Sequence, residues 1–407
     1  MTITCGIDWA EAHHDVALMD GDGKVVGRRK IDTGVAGFGE LMSLLAEHCE
    51  DPTVVPVAIE TDKNLIVVAL QTAGLTVFPI NPRAVARYRE RHGQSGKKSD
   101  PGDAALLADV LRTDRHQHRQ LPLITDGGRA VKALARQHQE AIWSLHQMTS
   151  RLRSVLLEFY PQALQAFPNL KHKAALTVLT AASTPELGSR LTARRIVALL
   201  QRCGRRNDPA LVEQILTDLK TAALRQPAVV EAALGTTVVG LLGIITAMHT
   251  AVEQLQTALA VEFEQHPLAP VLRSAPGLGP VLAARVLAEV GDDDNRFTTA
   301  DGLRAFAGTA PVTRASGRSR KVSARRVRNK RLADACHWWA FAALTKSPGA
   351  RAHYDRRRAA GDHHNAALRN LANKLIGRMW WCLQNGQLWD EHAAWNELST
   401  GPAQVAA

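Results

Sequence analysis

The sequence has few cysteines and few tyrosines, and both shortages narrow the chemistry open to it. Its five cysteines are scattered over 407 residues and form no Cys-x-x-Cys pair. A disulfide framework or a zinc knuckle is therefore not expected, and a reducing cytoplasm fits the composition best. None of the three tyrosines lies in an arginine and histidine setting suited to a tyrosine nucleophile; they are Tyr88, Tyr160 and Tyr354.

The sequence also has few long apolar runs. No stretch approaches the roughly 18 apolar residues that span a bilayer, so no membrane partner is predicted. The start, MTITCGIDWAEAHHD, lacks the basic and apolar regions of a signal peptide. Charge of one sign is plentiful, since 50 Lys and Arg outweigh 39 Asp and Glu to give a net charge of +11. A protein this basic usually binds phosphate, and nucleic acid is the expected partner.

Strand and helix patterns alternate in the first 125 or so residues. ITCGIDWA, DVALMD and VVGRRKI predict an antiparallel meander with a tight turn at Gly21–Gly23. VPVAIE and LTVFPI predict buried strands separated by helices. The fold class is therefore α/β, with an antiparallel edge and a parallel centre, followed by an all-α part.

Strand patterns stop near Arg129. Two long amphipathic segments flank a helical insert, which predicts an antiparallel coiled-coil arm, with a plain helical bundle as the alternative. The C-terminal part is predicted to be helical. It carries a helix-hairpin-helix-like PGLGP, in which Gly277 and Gly279 leave backbone N–H groups open to phosphate. The predicted domains are 1–128, the arm 129–266, a C-terminal domain 267–384 and a poorly ordered tail 385–407.

Four acidic residues are candidates for a metal site. Asp8 lies inside the first strand, and Glu60 ends the strand VAIE at the carboxyl edge, where open α/β folds place ligands. Asp100 and Asp103 fall in GKKSDPGDA. An Asp at the N-cap, a Pro and a second acid predict a helix start, so capping alone would account for them. Residues three apart also share a helix face, and two such carboxylates can share a Mg²⁺ ion.

The most basic stretch, RASGRSRKVSARRVRNKR, has nine cations and no acid in 18 residues. Such a cluster indicates a phosphate backbone nearby more than a solvated face. Ser316 lies within it and could attack a phosphodiester while arginines stabilise the transition state, although most Ser-Gly pairs are turns. Two other segments carry no predicted site. The His pair at His13 lacks ligand partners at helical spacing, and CHWWAF (336–341) is interpreted as core.

Taken together, GIDWA, IETDKN, KKSDPGDA, PGLGP and GTAPVTRASGRSRK resemble the IS110-type transposases, DNA recombinases of bacterial insertion sequences that include the Piv-like invertases. The resemblance implies an RNase H-like domain of the RuvC type, a coiled-coil region and a transposase domain. Its four acids correspond to Asp8, Glu60, Asp100 and Asp103, which would bind Mg²⁺, or Mn²⁺ in its place. Its catalytic serine corresponds to Ser316.

The resemblance also implies partners. These are donor and target DNA, a structured noncoding RNA from the element that bridges the two DNAs, and further copies of the chain in a dimer or tetramer. The four acids of one protomer would then meet the serine of another in a shared site. The resemblance also implies a bacterial cytoplasmic protein associated with the nucleoid. The expected nucleic-acid contacts are Lys97, Lys98, Arg314, Arg318, Arg320, Lys321, Arg325 and Arg326. The helical stretch 169–226 is longer than in compact members of the family, which affects the shape of the arm.

Three other functions fit parts of the sequence. In a RuvC-type nuclease, water activated by the metal would cut DNA and Ser316 would be structural. Sugar-kinase and actin-like ATPases share the strand order, with TDGG (125–128) as a second phosphate loop, but they need no arginine cluster. A non-catalytic RNA-binding or regulatory protein is the third.

Overall fold

The computed structural model describes residues 2–92, 99–205, 208–317 and 319–396. The chain forms two compact units, Met1–Leu123 and Ile124–Ala407. The predicted division at 266/267 stays a prediction. Residues from both sides of it share one hydrophobic cluster, in which Val131 and Phe263 pack with Leu287 and Trp339.

The first unit has the predicted element order. Its strands are β1 (Thr4–Trp9), β2 (His13–Met19), β3 (Val25–Asp32), β4 (Val57–Ile59) and β5 (Val77–Pro79). Its helices are α1 (Val35–His48), α2 (Leu65–Thr72), α3 (Pro82–His92) and α4 (Asp100–Asp114), with 3-10 turns at Pro52–Val54 and Arg115–Gln117. The sheet order is β3-β2-β1-β4-β5. β1, β2 and β3 pair antiparallel, whereas β1, β4 and β5 pair parallel, which confirms the mixed sheet.

Alternate residues of each strand point to opposite sides of the sheet. Helices pack against both sides, with α1 on one face and α4 on the other. Cys5 and Ile7 are fully buried in a cluster with the leucines of α1. Gly6 faces the other way, toward α4. β1 thus lies in the middle of the unit, with its carboxyl end open for a site.

The second unit is mostly helical. Its helices are α5 (Asp126–Phe159), α6 (Pro161–Ala166), α7 (Lys173–Ala181), α8 (Pro185–Ser189), α9 (Ala193–Arg202), α10 (Pro209–Lys220), α11 (Ala228–Glu264), α12 (Ala269–Ser274), α13 (Pro280–Val290), α14 (Ala300–Ala307), α15 (Lys330–Ala343), α16 (Pro348–Ala359), α17 (His364–Asn385) and α18 (Glu391–Asn396). Two strands, β6 (Val312–Ser316) and β7 (Ser319–Ser323), form an antiparallel hairpin.

The two long helices α5 and α11 pack antiparallel. The start of α5 shares a cluster with the end of α11, through Val131 and Phe263, while the end of α5 shares another with the start of α11, through Leu156 and Val238. From Leu145 to Phe159, buried positions of α5 recur at intervals of three and four, the spacing that coiled coils use. The predicted coiled-coil arm stays a prediction, supported by this spacing.

Helix α11 corrects the expectation that no segment is apolar enough to cross a membrane. By length and composition alone, Ala228–Glu264 is long and apolar enough, with a mean hydropathy of 2.0 over its best window. A core helix meets the same criterion, so this is weak evidence for a membrane segment. Part of the helix is buried within the unit, where Val238, Leu242 and Ile245 face α5 and the helices between them.

Two further expectations about the C-terminal part were wrong. It is not wholly helical, because the basic stretch forms the hairpin β6–β7, whose β-branched Val312, Thr313 and Val322 favour strands. The tail is not poorly ordered up to residue 396, because Trp389 and Trp395 pack against the core. Residues 397–407 of the predicted tail lie outside the described residues.

Candidate active-site residues

The two strand-borne acids lie at the same edge of the sheet. Asp8 directly follows Ile7 in β1, Glu60 directly follows Ile59 in β4, and Ile7 and Ile59 are partners in the parallel pairing. Both acids are half-buried. The carboxyl ends of parallel strands therefore bring Asp8 and Glu60 to adjacent positions.

Gly6 explains how the other two acids reach this edge. A Cβ atom at Gly6 would lie 2.0 Å from the Ala104 carbonyl oxygen and 2.5 Å from the Ala108 nitrogen, so only glycine lets α4 pack this close to β1. The Thr4 hydroxyl also donates to the Ala108 carbonyl at 3.0 Å. Because Gly6 and Asp8 share a face of the strand, α4 covers the face that carries Asp8.

Asp100 begins α4 but does not cap it. The N-cap is Ser99, and no side chain makes a capping hydrogen bond, so the predicted capping by Asp100 was wrong. Instead, ligand atoms of Asp100, His13 and Asp15 all lie within 4.8 Å of one another. Asp15 is the direct cross-strand partner of Asp8, and His13 is two residues before it on the same face of β2. Helical spacing does not apply to His13, because this residue lies on a strand.

Asp103 is buried and ion-paired. The Arg89 guanidinium on α3 donates to one carboxylate oxygen of Asp103, from Nε at 3.1 Å and from a terminal nitrogen at 2.6 Å. The Asp103 side chain is only 6% exposed. A buried carboxylate needs such a partner, and here an arginine of the chain supplies it.

The donor set of this edge fits a divalent cation. Carboxylate oxygens are the ligands that Mg²⁺ prefers, and those of Asp15 and Asp100 lie close together, with Asp15 directly opposite Asp8 in the sheet. Asp8 and Asp15 are directly opposite in the pairing of β1 with β2, an arrangement of like charges that costs stability unless a cation offsets it. The imidazole of His13 would suit Mn²⁺ at least as well.

Sequence reasoning missed His13, Asp15 and Arg89. The register of β1 with β2 brings Asp15 opposite Asp8, and an antiparallel meander with an acid in each of its first two strands was the available signal. The Arg89 contact depends on how α3 packs against α4, which no local pattern specifies. Lys97, Lys98 and Arg318, three of the predicted nucleic-acid contacts, lie outside the described residues.

Ser316 lies at the tip of the exposed hairpin. It ends β6, pairs with Ser319 of β7, and is followed by Gly317, whose φ of +54° suits a tight hairpin turn. A side chain at Gly317 would meet no atom within 4 Å. Ser316 is exposed, and its hydroxyl has no hydrogen-bond partner among the described residues. A large substrate could therefore reach this hydroxyl.

The hairpin register divides the neighbouring cations between two faces. Arg314 is the direct partner of Lys321, and Ser316 the partner of Ser319, so all four side chains lie on one face. Arg320 pairs with Ala315 on the opposite face. Two cations directly opposite each other destabilise a hairpin, which is offset when an anion binds between them. Arg314 and Lys321 are thus placed to hold a phosphate near Ser316.

The end of the basic stretch is anchored in the helical unit. Arg331 makes an ion pair with Glu140 at 2.9 Å and lies 5.1 Å from the Trp143 ring centroid. Arg325 is half-buried and Arg326 exposed in the connection to α15. Asn329 caps α15 and donates to Glu289 at 2.7 Å. The stretch therefore combines the exposed Arg314, Arg320 and Lys321 on the hairpin with an ion-paired arginine at its end.

The two glycines of PGLGP have different surroundings. Gly277 has φ +84°, and a Cβ there would lie 2.7 Å from the Ala343 nitrogen of α15, so close packing accounts for this glycine. Gly279 is the N-cap of α13 and has no neighbour within 4 Å of the Cβ position. Of the two predicted phosphate contacts, Gly279 is the accessible one. TDGG forms the start of α5, where the Thr125 hydroxyl accepts from the Gly128 nitrogen at 3.0 Å.

Two family models match this chain, one over the region of the four acids and one over the region of Ser316. Residues 5–161 match a DEDD transposase model of the IS110 type, and residues 269–355 match the transposase IS116/IS110/IS902 family. The chain is 47% identical over 404 residues, 98% of both chains, to a Streptomyces coelicolor protein named "Mini-circle putative transposase for IS117". It is 33% identical to the IS110 43.6 kDa protein of that organism over 72% of each chain. An IS900 protein of Mycobacterium paratuberculosis is 27% identical over 412 residues.

Proposed function

The chain belongs to the IS110/IS116 family of transposases, and from that premise we propose that it is a DNA recombinase of an insertion sequence with Ser316 as its nucleophile. The observation that carries the proposal is the placement of Ser316 at an exposed tip, with Arg314 and Lys321 on its own face of the hairpin. A hydroxyl that attacks a DNA strand needs such access, and cations beside it stabilise the charge that develops.

The proposed reaction exchanges one phosphodiester for another. The Ser316 oxygen bonds to phosphorus and gives up its proton, while the bond from phosphorus to one deoxyribose oxygen breaks and that oxygen takes up a proton. The phosphoserine link keeps the energy of the broken bond, so a second strand end can reverse the step without ATP. Arg314 and Lys321 stabilise the extra negative charge as the bond forms.

The acids of the first unit are proposed as the metal site of an RNase H-like, RuvC-type domain. The strand order with an antiparallel meander and a parallel centre supports that fold, as does the position of Asp8 and Glu60 at one edge. Asp8, Glu60, Asp100 and Asp103 would hold Mg²⁺, and His13 and Asp15 lie close enough to share in binding. The ion would supply charge stabilisation at the phosphate.

A noncoding RNA and further copies of the chain complete the proposal, and both rest on family membership. RNA copurified with the full chain and sequenced should come from the insertion element next to its own gene. Recombination of DNA carrying the element ends should then require that RNA. RNA of random genomic origin, or recombination that does not depend on RNA, would contradict this part.

The nucleophile is tested by trapping the covalent link. Full-length protein, its copurified RNA, Mg²⁺ and labelled DNA carrying the element ends should give a protein–DNA adduct on a denaturing gel. We expect Ser316→Ala to lower adduct formation at least roughly 1000-fold, since the nucleophile is lost. Ser319→Ala is the matched control across the hairpin and should keep activity within a few-fold. Cleavage by Ser316→Ala at the wild-type rate would favour the nuclease, with water as nucleophile.

A further inference from the structure

Five aromatic rings form a continuous row on the surface of the helical unit. In order they are His337, Trp338, Phe341, His364 and Tyr354, contributed by α15, the start of α17 and α16. Successive ring centroids lie 5.6, 6.1, 6.5 and 5.8 Å apart, each pair close to edge-to-face. The Tyr354 hydroxyl is also within 2.7 Å of the His364 Nδ1 atom, which fixes that end of the row.

The middle of the row is exposed. Trp338 is 48% and Phe341 49% exposed, whereas their neighbours Cys336 and Trp339 are fully buried. The interpretation of CHWWAF as core is therefore correct for one face of α15 and wrong for the other. Exposing large rings side by side to water is unfavourable, and a ligand that covers them removes this cost. Such a patch therefore marks a binding surface.

A cavity of about 510 Å³ opens at the His337 end of the row. Its lining includes Arg328, Lys330, Asn365 and Arg369 in addition to His337. Lys330 and Arg369 form no ion pair with any described residue. Its acid, Asp334, accepts a hydrogen bond from Gln139 at 2.8 Å and lies 3.7 Å from Arg285, so its charge is offset within the protein. The cavity thus presents free positive charge and an amide beside the rings.

Charge around the row favours a polyanion. Between positions 324 and 374 the sequence has twelve Lys and Arg residues and three Asp. Burial lowers the pKa of His337, so that ring is neutral near pH 7. The same segment follows directly on the hairpin of Ser316, and Thr309 of the cavity precedes that hairpin by only three residues.

We propose that this surface, which we term the aromatic row (His337, Trp338, Phe341, His364 and Tyr354), binds the bases of an unpaired DNA strand. Trp338 and Phe341 stack on bases, while Lys330 and Arg369 hold the phosphates beside them. A duplex does not fit this surface, because its paired bases stack on each other and present only their edges. Unpaired bases can stack on the exposed rings while the cations contact the phosphates. The inference rests on the proposed function only for the choice of DNA among polyanions.

Binding by the full chain tests the proposal, with three fluorescein-labelled 20-nucleotide probes of one sequence: single-stranded DNA, single-stranded RNA and duplex DNA. Stacking by aromatic residues on a base predicts that Trp338→Leu raises the Kd for single-stranded DNA roughly 5- to 100-fold. Its Kd for the duplex should stay within twofold. Trp338→Phe keeps a ring and should restore most of the affinity. Arg369→Gln should reduce the salt dependence by about one phosphate contact.

Trp381→Leu is the matched control, because Trp381 is 42% exposed on α17 but lies outside the aromatic row. It should bind all three probes as the wild type does. Light scattering and far-UV circular dichroism of each variant record assembly and folding.

Four results would overturn the proposal. They are wild-type binding of single-stranded DNA by Trp338→Leu, an equal loss for single strand and duplex, a loss confined to RNA, and a changed oligomer with unchanged DNA affinity. The same titrations on Ser316→Ala protein separate this inference from the nucleophile. If that variant binds the single strand normally, failure to trap an adduct contradicts the proposed chemistry and leaves the aromatic row intact.

Discussion

The acidic residues lie on elements packed from both sides, whereas Ser316 lies at the tip of a hairpin whose side chains are almost all exposed. Asp103 is 6% exposed and held by Arg89, and the helix that carries it meets β1 at backbone distance at Gly6. In the hairpin, two cations face each other with no acid between them. Among the acids, Asp103 is positioned by an arginine of the chain, whereas the paired cations of the hairpin gain a counter-charge when an anion is bound.

The largest effect should come from breaking the packing under the acids. Gly6→Ala places a Cβ atom against the backbone of α4, which must move away from β1. We expect the first unit to lose about 3 kcal/mol of stability, in the range for overpacked cores, and recombination to fall with it. Hydrogen exchange of β1 and α4 amides in the full chain measures this.

Gly21→Ala is the control for that change, because a Cβ at Gly21 meets no atom within 4 Å. It should leave exchange unaltered. Unchanged protection of α4 in Gly6→Ala would mean that the close approach to β1 is not required.

Removing the two cations on the Ser316 face tests the other half of the comparison. The double change Arg314→Gln and Lys321→Gln should lower adduct formation roughly 100-fold, because charge stabilisation of the transition state is lost. Stability should not fall, since like charges directly opposite are removed. Arg320→Gln, on the opposite face, is the control and should cost less than about tenfold. Equal losses for the two faces would contradict the assignment of the Ser316 face.

Removing the Arg89 side chain tests whether Asp103 takes part in metal binding. Arg89→Gln leaves the buried Asp103 carboxylate without its cation, which should destabilise the first unit by about 2 kcal/mol in the absence of divalent ions. Because a divalent ion would replace the lost positive charge, Mg²⁺ should raise the melting temperature of this variant more than that of the wild type.

The comparison for Arg89 is Arg29→Gln, whose partner Glu47 is half exposed, so its loss should cost under about 1 kcal/mol with no dependence on Mg²⁺. An Arg89→Gln protein that melts identically with and without Mg²⁺ would show that Asp103 does not take part in metal binding.

The element order of the first unit could be predicted because strand and helix periodicities are local. The position of Glu60 at the carboxyl edge of the sheet could also be predicted, because it follows the strand VAI directly. The grouping of Asp100 with His13 and Asp15 was not predictable, because it needs both the register of β1 with β2 and the packing of α4. The partner of Asp103 depends equally on tertiary contacts.

The hairpin and the aromatic row were missed for a different reason. Strands buried on one face alternate between apolar and polar residues, but both faces of β6 and β7 are exposed and rich in charge, so the alternation is absent. In CHWWAF, composition indicates core for every aromatic residue. Only the rotation of α15 decides that Trp339 is buried and Trp338 exposed.

The smallest expected effect at neutral pH concerns a buried histidine of the helical unit. His138 of α5 is 1% exposed, and burial, with Arg285 nearby, lowers its pKa from 6.5 to about 4. The unfolded chain therefore binds a proton below pH 6.5 that the folded chain binds only near pH 4, so stability falls as the pH drops through this window. The loss should be about 2 kcal/mol at pH 5 and close to zero above pH 7. His138→Gln, which cannot take up the proton, should melt with less pH dependence than the wild type. If the melting temperatures of wild type and His138→Gln change with pH in the same way, His138 has the same pKa in the folded and unfolded chains, and this prediction is wrong.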